Sequence, residues 1–240
     1  MMRALACAVL LMLAALPARA VTCNDVRFDG LSFTTCTVDP ATENLRLFLR
    51  DGEGTPYGSF TALAQNVQST LAFAMNAGMY HDDRAPVGHY VEGGIEEMRL
   101  LTNASAGNFG LLPNGVLCLT DNSATVYETL DFAARTPACR DATQSGPMLV
   151  IDGALHPRFL PDSTSRNIRN GVGTSATGDR AVFAISNQAV TFHEFARFFR
   201  DGLGLPSALY FDGRVSRLHA PQLDRSDSGV AMGPIVGVLE

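Results

Sequence analysis

The sequence predicts a single-domain α+β fold: mixed β-sheets rich in antiparallel hairpins, with a few strand-helix-strand units. Three observations carry that expectation. Apolar runs separated by Asn-Gly, Asp-Gly and Gly-Asp turn signals recur through the middle of the chain. Two segments read as strand, helix, strand with no hairpin between. Helical periodicity is otherwise too sparse for a doubly wound parallel sheet. The 240 residues, 46% of them hydrophobic, suffice for a full core, and no repeat, low-complexity tract or charge block marks a linker.

Residues 1–20, MMRALACAVLLMLAALPARA, place Arg3 before an apolar run too short for a comfortable membrane span and end in Ala18-Arg19-Ala20, a small-x-small cleavage pattern. They read as a secretory signal peptide. Residues 21–240 are then a mature periplasmic or secreted domain with no membrane span left. Cleavage removes Cys7 and leaves Cys23, Cys36, Cys118 and Cys139, an even set in an oxidising compartment. Sequence proximity favours Cys23–Cys36 and Cys118–Cys139, each closing a loop short enough to stabilise by about 3 kcal/mol. No Cys-x-x-Cys or Cys/His cluster points to zinc.

Without Arg3 and Arg19, 16 of the 18 basic residues remain against 24 acidic ones. That balance argues against nucleic acid as a partner, because phosphate backbones select basic faces. There is no lysine, which excludes Schiff-base chemistry and a P-loop.

The first strand-helix-strand unit is NLRLFLRD, then SFTALAQNVQ with Ser59 as N-cap and Phe60, Leu63, Ala64 and Val67 on one face, then LAFAM. The second is RAVFAISN, then TFHEFARFFRDG, then ALYF. Its helix carries a Thr191/Glu194 capping box, a stripe of Phe192, Phe195, Ala196 and Phe199, and Gly202 at its end. Each unit implies a crossover to a parallel neighbour, or at least to the same sheet. Hairpins are expected around Pro113-Asn114-Gly115, Asp152-Gly153 and Thr177-Gly178-Asp179.

Both units end in a polar residue followed by small ones, Asn76-Ala77-Gly78 and Asp212-Gly213. Ligands of α/β sheets gather beyond the carboxyl ends of such strands. Asp-Gly is also the strongest hairpin signal, and it occurs at 29, 51, 152, 201 and 212, so position along the chain singles out Asp212. Gln144, Ser145 and Gly146 before Pro147 form a tight entry expected to expose backbone amides and the Ser145 hydroxyl. Arg166 and Arg169, just ahead of Gly171 and Gly173, form a candidate anion clamp.

The loop with His81, Asp82, Asp83, His89 and Glu92 offers oxygen ligands to a divalent cation, although solvated aspartates explain it as well, and nothing requires a cofactor. Asp212, Glu92, Asp82 and Asp83 are the carboxylates available for a two-carboxylate glycosidase. A serine-protease signature is absent, and His193 has no second histidine at metalloprotease spacing.

Taken in order, NAGMY (76–80), SGPMLV (145–150), RNGVG (169–173) and ALYFDG (208–213) resemble the phosphodiester glycosidase family, over roughly residues 45–238. Asn76 and Gly78, Ser145, Gly146 and Pro147, Arg169 and Gly173, and Asp212 and Gly213 match its motifs. Ala77 departs from a preferred glycine, Arg214 and Val215 replace two more, and Ser216 retains the closing serine. The resemblance implies hydrolysis of a sugar-1-phosphodiester, such as one of N-acetylglucosamine, to free sugar and phosphomonoester. Arg169 would bind the phosphate with help from Ser145 and Gly146. Asn76 would orient an oxygen, and Asp212 would act as general base or stabilise the cationic sugar. Gly78, Gly173, Gly213, Ser216, Glu92 and Arg166 complete the expected binding set. Two alternatives stay open. One is a phosphodiesterase cutting the P–O bond; the other is a non-catalytic glycan-binding or envelope protein, favoured by the crowding Arg214 would bring. The natural sugar and the oligomeric state are not legible.

Overall fold

The computed structural model describes residues 21–240; the signal-peptide reading of residues 1–20 lies outside the described residues. Three β-sheets form the molecule. The largest orders its seven strands as Thr22–Phe28, Leu31–Val38, Ala181–Ser186, Asn170–Thr174, Ser207–Asp212, Met148–Ile151 and Ala154–Leu155. The second runs Arg225–Ser226, Leu218–Ala220, Leu71–Asn76, Ile235–Leu239 and Asn44–Phe48. The third runs Ile95–Met98, Tyr90–Glu92, Asp141–Ser145, Gly115–Leu119 and Ala124–Glu128.

Each sheet buries one face in a common core, where Phe183, Ile185, Leu209 and Phe211 of the first meet Phe73, Met75 and Val236 of the second and Leu117 and Val126 of the third. The opposite faces are each covered by a short helix. Phe192–Arg197 lies over Val182, Ala184, Ala208 and Tyr210; Phe60–Asn66 covers Phe48, Ala74 and Ile235; Thr129–Arg135 covers Val91, Val116 and Cys118. Burial on both faces is why these strands read as nearly continuous apolar runs, AVFAIS being buried at all six positions. The α+β class and the abundance of hairpins are as expected.

Both strand-helix-strand units return to their own sheet. Asn44–Phe48 and Leu71–Asn76 are parallel, as are Ala181–Ser186 and Ser207–Asp212, but they are not neighbours. An antiparallel strand, Ile235–Leu239 in one case and Asn170–Thr174 in the other, is slotted between each pair. The capping box forms as read, with Thr191 Oγ1 accepting from Glu194 N and the Glu194 carboxylate accepting from Thr191 N. The helix then widens into a π turn over Phe198–Gly202, which brings Phe198 into the core beside Phe199. The helix Thr129–Arg135 escapes sequence reading because its cap is a glutamate, Glu128, accepting from Leu130 N and Asp131 N.

Hairpins turn at Asp152-Gly153 and across 175–180 as expected. Pro113-Asn114-Gly115 is not a hairpin turn. Gly115 begins a strand, and the hairpin closes at 120–123, where Thr120 Oγ1 accepts from Ser123 N at 3.1 Å. Asn114 is instead a buried anchor, donating to Phe109 O at 2.8 Å and accepting from Thr129 Oγ1 at 2.7 Å. The disulfides are Cys23–Cys36 and Cys118–Cys139. Among the described residues no helix is long and apolar enough to cross a membrane.

Candidate functional site

The four motif segments converge where the three sheets meet. Between Asn170–Thr174 and Ser207–Asp212 the register slips, pairing Asn170 with Asp212 and Gly171 with Tyr210 and passing over Phe211. A slip of this kind leaves backbone groups without ladder partners, and buried polar groups must be satisfied. Here neighbouring side chains satisfy them. Ser145 Oγ donates to Phe211 O at 3.1 Å, and Asp212 N donates to Asn170 Oδ1 at 3.2 Å.

Asn170 is in turn locked to Asn76. Its Nδ2 donates to Asn76 O at 2.9 Å and Oδ1 at 3.0 Å, and Asn76 Nδ2 returns a 3.3 Å bond to Asn170 Oδ1. Asn76 Oδ1 also accepts from Arg217 N at 2.8 Å, and the Ser216 hydroxyl reaches Asp212 O at 2.7 Å. One residue from each of the three sheets thus fixes the backbone at Asp212. The expected exposure of the Ser145 hydroxyl is corrected: Ser145 is fully buried and its oxygen faces a carbonyl. Asn76 is likewise buried with its amide spent on protein partners.

Asp212 itself stays half-buried at the wall of a cavity of about 910 Å³, with Tyr80, Tyr210, Gly213, Arg214, His81 and Asp82 among its neighbours. It is no hairpin turn, since Ser207–Asp212 belongs to the first sheet and the next strand, Leu218–Ala220, to the second. Its Oδ1 accepts from Gly213 N at 2.6 Å and Arg214 N at 2.7 Å. Burial holds the carboxyl above the usual aspartate range, and the backbone amides of Arg214, Gly213 and Val215 offset part of that push. Gly213 has a steric reason: a Cβ there would lie 2.2 Å from the Tyr210 hydroxyl. Burial, reinforced by the Asp212 charge, raises the Tyr210 phenol well above its ordinary value, and Arg169 pulls it back.

Arg169 is 1% exposed and, among the described residues, has no carboxylate partner. Its Nε donates to Val190 O at 2.9 Å and Nη2 to Ser165 O at 3.1 Å, the guanidinium lies 3.6 Å over the Phe192 ring, and Nη1 is buried with no partner. The Tyr210 ring, 5.5 Å from that guanidinium, lies on the cavity wall; Arg169 does not line it. Burial lowers its proton affinity, and the Tyr210 phenol offsets part of the loss. An unpaired buried cation is costly, and here the carbonyls of Val190 and Ser165 and the rings of Phe192 and Tyr210 offset part of that cost.

The remaining expected residues separate. Arg166 does not join Arg169 in a clamp, because it is paired in two-pronged fashion with Glu194 at 2.6 and 3.0 Å. Glu92 bonds the Tyr90 hydroxyl at 2.7 Å on the third sheet and does not line the cavity. Gly173 is a packing glycine whose Cβ would lie 2.7 Å from both Phe199 and Leu205, so it offers no ligand approach. Gly146, whose Cβ would be 2.6 Å from Asn114 Cβ, lets two neighbouring segments of the third sheet close up, and Gly78, facing Thr143 Oγ1 at 3.0 Å, lets the second sheet approach the third. Among the described residues no group of three His, Cys, Asp or Glu could hold a metal ion. Sequence reading missed Asn170, Tyr80, Tyr210 and Arg217. Tyr210 precedes Asp212 by two, the strand repeat that would have flagged it.

Residues 69–220 match the family model described as phosphodiester glycosidase. The chain belongs to the phosphodiester glycosidase family. It is 34% identical over 215 residues, 88% of this chain and 84% of the relative, to an Escherichia coli K12 protein described as uncharacterized protein YigE. Its fold is similar to the zebrafish N-acetylglucosamine-1-phosphodiester alpha-N-acetylglucosaminidase catalytic domain auto-inhibited by pro-peptide. The TM-score is 0.62 at 13% identity, covering 92% of this chain and 82% of that one. A hypothetical protein from Synechocystis gives the same TM-score, 0.62, at 14% identity, covering 92% of this chain and 62% of that one. At these identities the likeness is one of fold. A second cavity, of about 840 Å³ and lined by Thr37, Asp39 and Asp179 among others, holds none of the family motifs.

Proposed function

We propose that this protein is an exported hydrolase of sugar-1-phosphodiesters that releases free sugar and a phosphomonoester, with residues 21–240 as the mature domain. Two disulfides fit an oxidising compartment outside the cytoplasm. The observation that carries the activity is the convergence of all four family motifs on one half-buried carboxyl, Asp212, beside a cavity with positive charge close behind it.

Water attacks the anomeric carbon as the bond from that carbon to the phosphate oxygen breaks, and the electron pair leaves with the phosphate. Asp212 takes the water proton or opposes the charge of the oxocarbenium-like sugar. Phosphate is a good leaving group, so the site has mainly to hold its charge. Tyr210 on the cavity wall faces it, with Arg169 supplying fixed charge at one remove. Asn76, Asn170, Ser145 and Ser216 act as positioning residues through the backbone of Asp212.

The test is incubation of purified protein with N-acetylglucosamine-1-phosphodiesters and a panel of other sugar-1-phosphodiesters, with and without a chelator. Free sugar and phosphomonoester are the expected products. No turnover across the panel, with glycan binding retained, would replace this reading with a binding protein on the same scaffold.

A further inference from the structure

Four arginines stand at or near the cavity: Arg214 on its wall, which also carries Asp82 and Asp212, and Arg84, Arg169 and Arg217 beside it. Among the described residues, none of Arg84, Arg169, Arg214 and Arg217 has a carboxylate within ion-pair distance, in a chain with 24 acidic residues against 18 basic ones. Arg169 stands on the Tyr210 side of Asp212. The other three gather around Tyr80, whose phenol feels the charge of Asp212 and, in the opposite sense, those of Arg84, Arg217 and Arg214.

Arg217 is the built part of this second group. It is 9% exposed, and Nη1 donates to the carbonyl of Val230, a cavity-wall residue, at 2.6 Å. Its guanidinium rests on the backbone of Gly229, where a Cβ would come within 2.3 Å of Nη2 and 2.8 Å of Cζ. The Gly229 φ of 146° is also one that a side chain would strain. Arg217 N is tied to Asn76 Oδ1, so the same bracket that fixes Asp212 fixes this cation. Arg214 lines the cavity, and Arg84 lies 5.4 Å from the Tyr80 ring centre. Guanidinium groups without carboxylates beside a cavity, one of them, Arg217, held in place, are suited to a carboxylate or phosphate on a ligand.

We propose that Arg84, Arg214 and Arg217 form a second anion subsite on the Tyr80 side of Asp212, so that the preferred substrate carries an anionic group in addition to its phosphodiester. This rests on the hydrolase reading above. The extra charge can sit on the sugar, as a uronate or sugar phosphate, or on the alcohol beyond the scissile phosphate, and the chemistry of recognition is the same.

Three matched sugar-1-phosphodiesters test it: one otherwise neutral, one with a carboxylate on the sugar, and one with a phosphate on the alcohol. At least one charged substrate should show kcat/KM ten times or more that of the neutral one. Arg217→Met should lower that ratio at least fivefold, mainly through KM. Arg214→Gln, on the exposed rim, gives the same readout without risk to folding. Equal kcat/KM for all three would overturn the subsite and leave the hydrolase reading standing. If none is turned over, the hydrolase reading fails, and calorimetric titration with glucose 1-phosphate and glucose 1,6-bisphosphate decides the subsite alone. Tenfold tighter binding of the bisphosphate supports it; equal affinity overturns it.

Discussion

The unit from residue 44 to 76 and the unit from residue 181 to 212 are built alike. Each has two parallel strands, an antiparallel strand slotted between them and a short capped helix over the outer face. Their last residues have opposite fates. Asn76 is fully buried, with its amide consumed by Asn170 and Arg217 N, whereas Asp212 keeps its carboxyl at a cavity. A polar residue at a strand end is therefore not yet a site; what matters is whether its hydrogen bonds are already taken. In this molecule one unit supplies the brace and the other supplies the carboxyl proposed to react.

The largest break in that comparison is Asp212→Asn, which keeps the Oδ1 acceptor for Gly213 N and Arg214 N but removes the charge. Turnover of a sugar-1-phosphodiester should fall by about 10²–10⁴-fold, and a loss below tenfold would remove Asp212 from the central role. Next comes Asn76→Ala, which leaves the buried Asn170 amide short of partners. Urea unfolding should show a loss of about 2–3 kcal/mol, together with reduced turnover. Unchanged stability would mean that Asn76 faces the ligand and not the brace.

The two predictions also differ in pH behaviour. Burial holds the Asp212 carboxyl above its ordinary value, so activity should rise with pH along an acid limb lying above the ordinary aspartate value of 3.8, and the limb should vanish in Asp212→Asn. Linkage gives the opposite sign for stability. The folded protein favours the protonated carboxyl, so this group's contribution to stability is lost as pH rises from the unfolded value through the folded one. At neutral pH, thermal unfolding should therefore find Asp212→Asn at least as stable as the wild type. The smallest effect is Ser145→Ala, which deprives Phe211 O of its donor and should cost about 1 kcal/mol in the same urea experiment.

Much of the fold was legible because its signals are local: alternating runs, the Thr191/Glu194 box, and the hairpins at Asp152-Gly153 and Gly178-Asp179. The slotted strands were not, since Ile235–Leu239 pairs with residues far behind it in the chain and nothing local announces that. Asn114-Gly115 misled for a related reason. Its turn signal is the same whether the asparagine faces water or, as here, Phe109 O and Thr129. At the site, Asp212 was legible from its place at a strand end, but Tyr210 was hidden in an apolar run and Asn170 between Arg169 and Gly171. Arg166 read as a free cation because its partner, Glu194, is 28 residues away.

The most direct test of Asp212 as the reacting group of a glycosidase is hydrolysis in oxygen-18 water, with wild type and Asp212→Asn compared on one substrate. The label should enter the sugar at its anomeric hydroxyl, and the variant should yield almost no product. Label in the phosphate, or normal turnover by the variant, would contradict the account.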